Sequence, residues 1–268
     1  MNSAKKYEHQ RKAKAMTERK QGRRSAKTAD ETKFQILMTA TKMFCELGYE
    51  RVSLRNISDQ AGVSHSLIRH HFGSKEKIWY AISDKLHCYM EKYMLELLHR
   101  IPENTPVNEI LYQFDIRLMA HLILVPEPLQ FIADGIRQEG EFFDYFMDKN
   151  GEMGYIFHKL TDDFNLAHPD NQIELAEQKW IMISYAHAAI SLRPMQKAIW
   201  IEYGKNPDQC LLDHWKLFNH LSASSLSIPE EKILSPKTLE ELLLPMAACW
   251  KHCCSVEEFS SELEYLTH

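Results

Sequence analysis

Alternating apolar and polar residues, the mark of a half-buried strand, are nearly absent from this sequence. Glycine and proline are scarce too, at nine and ten in 268 residues. So few breaks between long stretches of 3.6-residue periodicity exclude a sandwich or barrel and predict an all-α protein. No apolar run approaches the roughly 20 residues that a spanning helix needs, so no transmembrane segment is expected. The basic N-terminus leads into further polar residues, which argues against a signal peptide. Six cysteines (Cys45, Cys88, Cys210, Cys249, Cys253 and Cys254) do not make a disulfide framework at this length and fit a reduced, cytoplasmic setting. Also missing are a nucleophile–base motif, a Gly-rich phosphate loop and an HExxH helix, so no catalytic residue and no cofactor is expected. Cys249, His252 and Cys253 share a helix face, but structural zinc wants four ligands and no second pair is evident. No metal site is expected.

Charge is what the sequence does have, unevenly spread. The formal net charge of -5 conceals +8 over residues 1–29, +1 over 30–77 and -14 over 78–268. A basic end on an acidic body places any polyanion at the N-terminal end. Residues 1–29 lack periodicity and read as a disordered basic arm. Residues 30–76 read as a first domain, 77–222 as a larger helical domain, and 223–268 as a C-terminal helical extension.

The first domain opens with the capping-box spacing Thr28-Ala-Asp-Glu31. The helix that follows has an apolar face of Phe34, Leu37, Ala40, Phe44 and Leu47 and closes at Gly48. Ser53 caps a second helix with Leu54, Ile57 and Ala61 inward. A tight Ala61-Gly62-Val63 turn follows, and Ser64 caps a third helix. This is helix-turn-helix spacing, in which the second helix of the pair is presented to a groove of DNA.

On the third helix, Ile68 and Phe72 share one face at 100° per residue. Ser66, Arg69 and His70 share the other, with Leu67 at its edge. Arginine can read guanine, serine either base type, and histidine or arginine a phosphate. Ser74 caps a fourth helix running to about residue 100. Its Lys75 places a cation at the positive end of the helix dipole, a conflict that a docked phosphate would relieve.

Beyond residue 100, further helices are expected at about 106–124, 126–137, 141–164, 171–193 and 207–222. Ser184, Ala188 and Ser191 form a small-residue stripe. With Leu211, Leu212, Trp215 and Phe218 of the next helix they suit a two-fold four-helix interface. Ser222-Ala-Ser-Ser-Leu-Ser227 reads as a linker. Two more helices are expected after it, one opened by Ser235-Pro236 and one by the capping box Ser255-Val-Glu-Glu258.

Over residues 30–80 the sequence resembles the TetR family of bacterial transcriptional regulators. The resemblance is carried by Ile36-Leu37, Ala40, Phe44, Gly48-Tyr49, Ser53, Ile57, Ala61-Gly62-Val63-Ser64, His71-Phe72 and Ser74-Lys75-Glu76. It implies an all-α homodimer whose third helices enter the major groove. It also implies a C-terminal domain that binds a small molecule and dimerises through its last two main helices; in most members the ligand releases the protein from its operator. Carried over by position, base readout falls to Arg55, His65, Ser66, Leu67 and Arg69. Phosphate contact falls to Ser53, Ser64, His70, His71 and Lys75. Many members have Tyr where this chain has Arg69.

Blander readings stand beside these. The basic arm is either a solvated tail or a groove-tracking arm with Arg23 and Arg24 nearest the fold. Candidate effector-pocket residues are Phe114, Leu118, His121, Phe131, Phe142, Phe146, Met147 and Tyr155, though aromatic and Met side chains at helical spacing also build plain core. Their character favours a largely apolar effector. The function expected is a homodimeric repressor released from a palindromic DNA operator by a small molecule. The alternatives are a DNA-associated regulator controlled by a protein partner, or an all-α enzyme.

Overall fold

The computed structural model describes residues 29–244 apart from 139, 149 and 150, and all regular structure among these is helical. The chain divides into two compact units, the first ending at Trp79 and the second starting at Tyr80. The capping box at Thr28, Arg23, Arg24, the Cys249–Cys254 cluster and the expected helix after Ser255 lie outside the described residues.

In the first unit, α1 (29–47), α2 (Leu54–Ala61), α3 (His65–His71) and the first turn of α4 (Lys75–His99) enclose one small core. Ile36, Leu37, Ala40 and Phe44 of α1 meet Ile57 and Ala61 of α2, Ile68 and Phe72 of the α3 segment, and Ile78 and Trp79 of α4, all buried. At about 1.5–3 kcal/mol for each large side chain, this burial fixes where α3 sits. Gly62 closes α2 in the left-handed region at φ +66°, which a Cβ would strain, and so permits the tight turn. The Gln35 side-chain amide donates to Ala61 O at 2.8 Å and ties that turn back to α1. Leu47, expected inward, is 49% exposed, because it falls in the last turn beyond the buried stripe.

The second unit is organised around α5 (Val107–Leu124), which is buried on nearly every side. Of the helices α6 (Glu127–Gln138), α7 (Glu141–Asp148), α8 (Gly151–Ala167), α9 (Leu175–Ser191), α10 (Arg193–Glu202) and α11 (Cys210–Ser225), α8, α9 and α11 pack directly on it, while α6 packs on α7 and α9, and α10 on α9 and α11. The Trp215 indole donates to Ile116 O at 2.8 Å and pins α11 on α5. Beside it, Tyr112 Oη donates to Asn219 Oδ1 at 2.6 Å and accepts from Leu234 N, while Asn219 Nδ2 donates to Leu234 O at 2.9 Å. This closed ring satisfies five polar atoms in a largely buried place, where each left unpaired would cost about 1–3 kcal/mol.

Several expected boundaries move. Within the single helix expected over 141–164 the described residues form α7 and α8, the second running on to Ala167. The helix expected over 171–193 spans Leu175–Ser191, and Pro194 at the first turn of α10 opens a helix that periodicity had not separated. Residues Pro207–Gln209 form a single 3₁₀ turn ahead of α11. The serine-rich stretch is no linker: α11 continues to Ser225, and Ser222, Ala223 and Leu226 are buried. No α-helix starts at Ser235-Pro236. The chain there is extended between 3₁₀ turns at Glu230–Lys232 and Leu239–Leu242, because Leu239 and Leu242 can be buried against α5 without one.

Candidate nucleic-acid interface

The exposed face of α3 is held from both ends. Ser64 caps it, its Oγ accepting from Leu67 N at 3.2 Å, and Ile68 at 0% exposure with Phe72 at 7% anchors the opposite side. His65, Ser66, Arg69 and His70 consequently stand exposed, Leu67 and His71 half-buried. The Arg69 Nε donates to His65 Nε2 at 3.2 Å. Ser66 Oγ lies 3.0 Å from Ser64 Oγ, and the His70 and His71 rings meet edge-on at 5.4 Å. Among the described residues no group of three or more His, Cys, Asp or Glu is arranged to hold a metal ion.

Ser53 heads α2 in a reciprocal capping box. Its Oγ accepts from Asn56 N at 3.1 Å and donates to Asn56 Oδ1 at 2.6 Å, and Asn56 Oδ1 also accepts from Ser53 N. Arg55 is exposed and pairs loosely with Asp59 at 4.0 Å, one turn on. Such a surface pair is worth only about 0.3–0.5 kcal/mol and opens readily to a polyanion.

Lys75 behaves differently from its reading as a misplaced charge. Its Nζ donates to Tyr49 O at 3.0 Å and lies 3.8 Å from the centre of the Tyr49 ring. A carbonyl and a ring face absorb the ammonium inside the domain, so the charge conflict at the start of α4 is relieved without a phosphate. The neighbouring Glu76 adds an acid where the dipole favours one, and the Ser74 hydroxyl, followed by its own backbone N–H, holds its carboxyl below the usual range. Lys75 therefore clamps α4 to the turn after α1.

In the second unit the candidate pocket residues separate into three places. Phe114, Leu118, His121 and Phe131 are core. His121 stacks on Tyr93 at 3.6 Å between ring centres and meets the Tyr89 hydroxyl at 3.0 Å, and burial pushes its imidazole down to about 3. Phe142 packs edge-on against Tyr80 and Phe146 against His87, seating α7 on α4 together with Tyr145, whose hydroxyl donates to Asp84 at 2.8 Å. The Met147 side chain lies outside the described residues. Tyr155 is 45% exposed and lines a cleft of about 310 Å³ with Leu98, Ile101, Ile110, Ile156 and Leu160.

The expected interface residues also part ways. Ser184 and Ser191 are exposed and Ala188 and Leu211 half-buried, but Trp215 at 0% and Phe218 at 3% are spent on the subunit's own core. Outward on the same two helices stand residues that the sequence reading missed: Trp180 (71% exposed) and Ile183 on α9, Leu217 and Leu221 on α11. Their signal was the second apolar face that these helices carry beside the core face.

Residues 36–82 match the family model described as bacterial regulatory proteins, tetR family. The chain is 37% identical over 65 residues to the HTH-type transcriptional regulator TtgR of Pseudomonas putida, covering 24% of this chain and 31% of that one. It is 41% identical over 49 residues to the HTH-type transcriptional repressor AcnR of Corynebacterium efficiens, or 18% and 26% of the two chains. The chain thus spans about a third or less of the length of the curated relatives it matches. Among solved structures, the fatty acid degradation regulator FadR of Bacillus halodurans aligns with a TM-score of 0.52 at 15% identity, covering 73% of this chain and 98% of that one. That likeness is one of fold.

Proposed function

We propose that this chain, whose N-terminal unit belongs to the TetR family of bacterial regulatory proteins, is a cytoplasmic, homodimeric repressor that leaves a palindromic operator when a small, largely apolar effector binds. The observation that carries the reading is the exposed face of α3: a cation, two imidazoles and a hydroxyl on a helix whose other side is locked into the core. An α-helix presented in this way fits the major groove, and its arginine suits guanine. Arg55 stands beside it as a further base reader, His70 and His71 as phosphate contacts, and the +8 charge of residues 1–29, including Arg23 and Arg24, adds sequence-independent attraction.

Two features of the second unit support the rest. The apolar side chains exposed on α9 and α11, with Trp180, Ile183, Leu217 and Leu221 foremost, form a patch of the kind that a two-fold partner covers. The Tyr155 cleft is mostly apolar, within the size range of small-molecule sites, and so fits an effector of that character.

The experiment is a binding series on duplexes enriched from a random palindromic library. A dimer should choose half-sites about 34–36 Å apart and lose affinity steeply as salt rises. Equal affinity for selected and scrambled duplexes at moderate salt would sink the proposal.

A further inference from the structure

We propose that His65 is a positioning residue for Arg69: by occupying the Arg69 Nε it fixes the guanidinium so that the two terminal nitrogens read one guanine in each half-site. This rests on the DNA-binding reading above. The two side chains lie four residues apart on α3, both exposed, with Arg69 Nε donating to His65 Nε2 at 3.2 Å. Neither is needed by the core, which Ile68 and Phe72 supply from the opposite face.

The chemistry follows from the donor inventory. For Nε2 to accept, His65 must be neutral with its proton on Nδ1. Arginine can approach a base either side-on, through Nε and one terminal nitrogen, or end-on, through both terminal nitrogens. The bond to His65 removes the first mode. The remaining fork carries parallel N–H donors, which match the O6 and N7 acceptors of guanine. Adenine presents an N6 donor where the fork needs an acceptor. A free arginine samples many rotamers and reaches phosphates on either side, whereas a tethered one pays part of that ordering before DNA arrives. His65 therefore acts through Arg69, its ring acceptor being spent on the tether. The recognition set contracts to one tethered arginine with Ser66 and Leu67 beside it.

The test uses the full chain and a palindromic duplex library at one fixed, moderate salt concentration. Wild type, Arg69→Ala, His65→Ala and His65→Gln are each used for selection, followed by competition affinities at every base pair. Wild type should prefer guanine at one pair per half-site by about tenfold or more, the range of a good bidentate contact. Arg69→Ala should abolish that preference. His65→Ala should cut it to about threefold or less at the same pair, leaving preferences elsewhere unchanged. His65→Gln, whose amide oxygen can accept from Nε, should restore most of it. The inference is overturned if His65→Ala keeps the full guanine preference, if it alters a different base pair from Arg69→Ala, or if glutamine rescues no better than alanine. A wild-type chain that enriches no sequence overturns the DNA-binding reading itself. Enrichment that Arg69→Ala leaves unchanged overturns this inference alone.

Discussion

Replacing Asp115 with Asn isolates the cost of a buried charge in the second unit. Asp115 lies on α5 at 4% exposure, and burial pushes its carboxyl up from 3.8 to about 8. Between those two values the folded protein keeps a proton that the unfolded chain has lost. Stability therefore falls as pH rises through this window; the penalty is absent below the unfolded pKa and complete above the folded one. At about 1.4 kcal/mol per pH unit, roughly three units separate pH 7 from the unfolded pKa, a penalty of about 4 kcal/mol. Asn keeps the shape and cannot ionise. Urea unfolding followed by circular dichroism at pH 5 and pH 8.5 measures the difference, provided that m is unchanged. The variant should exceed wild type by about 2 kcal/mol or less at pH 5 and by about 5–6 kcal/mol at pH 8.5, a large share of the roughly 5–15 kcal/mol typical of folded proteins. A gap between the two proteins that stays constant with pH, or closes as pH rises, would refute the reasoning.

Other perturbations test other parts of the molecule. His121, held neutral by burial, contributes stability that is present above the unfolded value of 6.5 and is lost as pH falls toward 3. His121→Phe should cost about 1 kcal/mol at pH 7 through the lost Tyr89 bond, yet match or exceed wild type at pH 4; a pH-independent difference in unfolding midpoints would argue otherwise. Lys75→Met should lower the thermal stability of the first unit by about 1–2 kcal/mol through the lost ring and carbonyl contacts. Intact stability with weakened DNA binding would instead make Lys75 a phosphate contact. Leu217→Glu with Leu221→Glu should yield monomers in sedimentation experiments, and an unchanged dimer would move the interface elsewhere. Tyr112→Phe opens the ring with Asn219 and Leu234 and should cost about 1–3 kcal/mol in urea unfolding; a smaller loss would show that water replaces the hydroxyl.

Legibility in the sequence followed the asymmetry of each helix. In the first unit every helix has one buried and one wet face and begins at a serine or ends at a glycine, so Ser53, Gly62, Ser64 and Ser74 all took the places that the spacing assigned. In the second unit α5 is buried all round and α9 and α11 carry two apolar faces, so periodicity no longer says which face meets what. Trp215 and Phe218, expected at an interface, are buried in the subunit's own core for that reason. Their neighbours Leu217 and Leu221 differ from them only in angle, and the angle gains meaning once α5 is in place. The end of α11 departs from expectation for a related reason, since Ser222 and Ala223 have linker composition but are buried within the helix.

The candidate site was legible by residue type and less so by partner. Sequence shows that a serine can donate, that a lysine is charged and that a histidine can read a base; it does not show whether those capacities are already used. Here many are. The Ser53 hydroxyl accepts from Asn56 N and donates to Asn56 Oδ1, Ser64 holds the start of α3, Lys75 is taken up by Tyr49, and the Nε2 of His65 by Arg69. What remains outward on α3 is chiefly the terminal fork of Arg69, His70 and the Ser66 hydroxyl. On the proposed DNA-binding reading, a set this small gives a division of labour, with sequence preference concentrated at few base pairs and affinity drawn largely from phosphates. The +8 charge of residues 1–29 is in keeping with that division, since a protein with few base readers gains most from a strong, sequence-independent hold on the backbone.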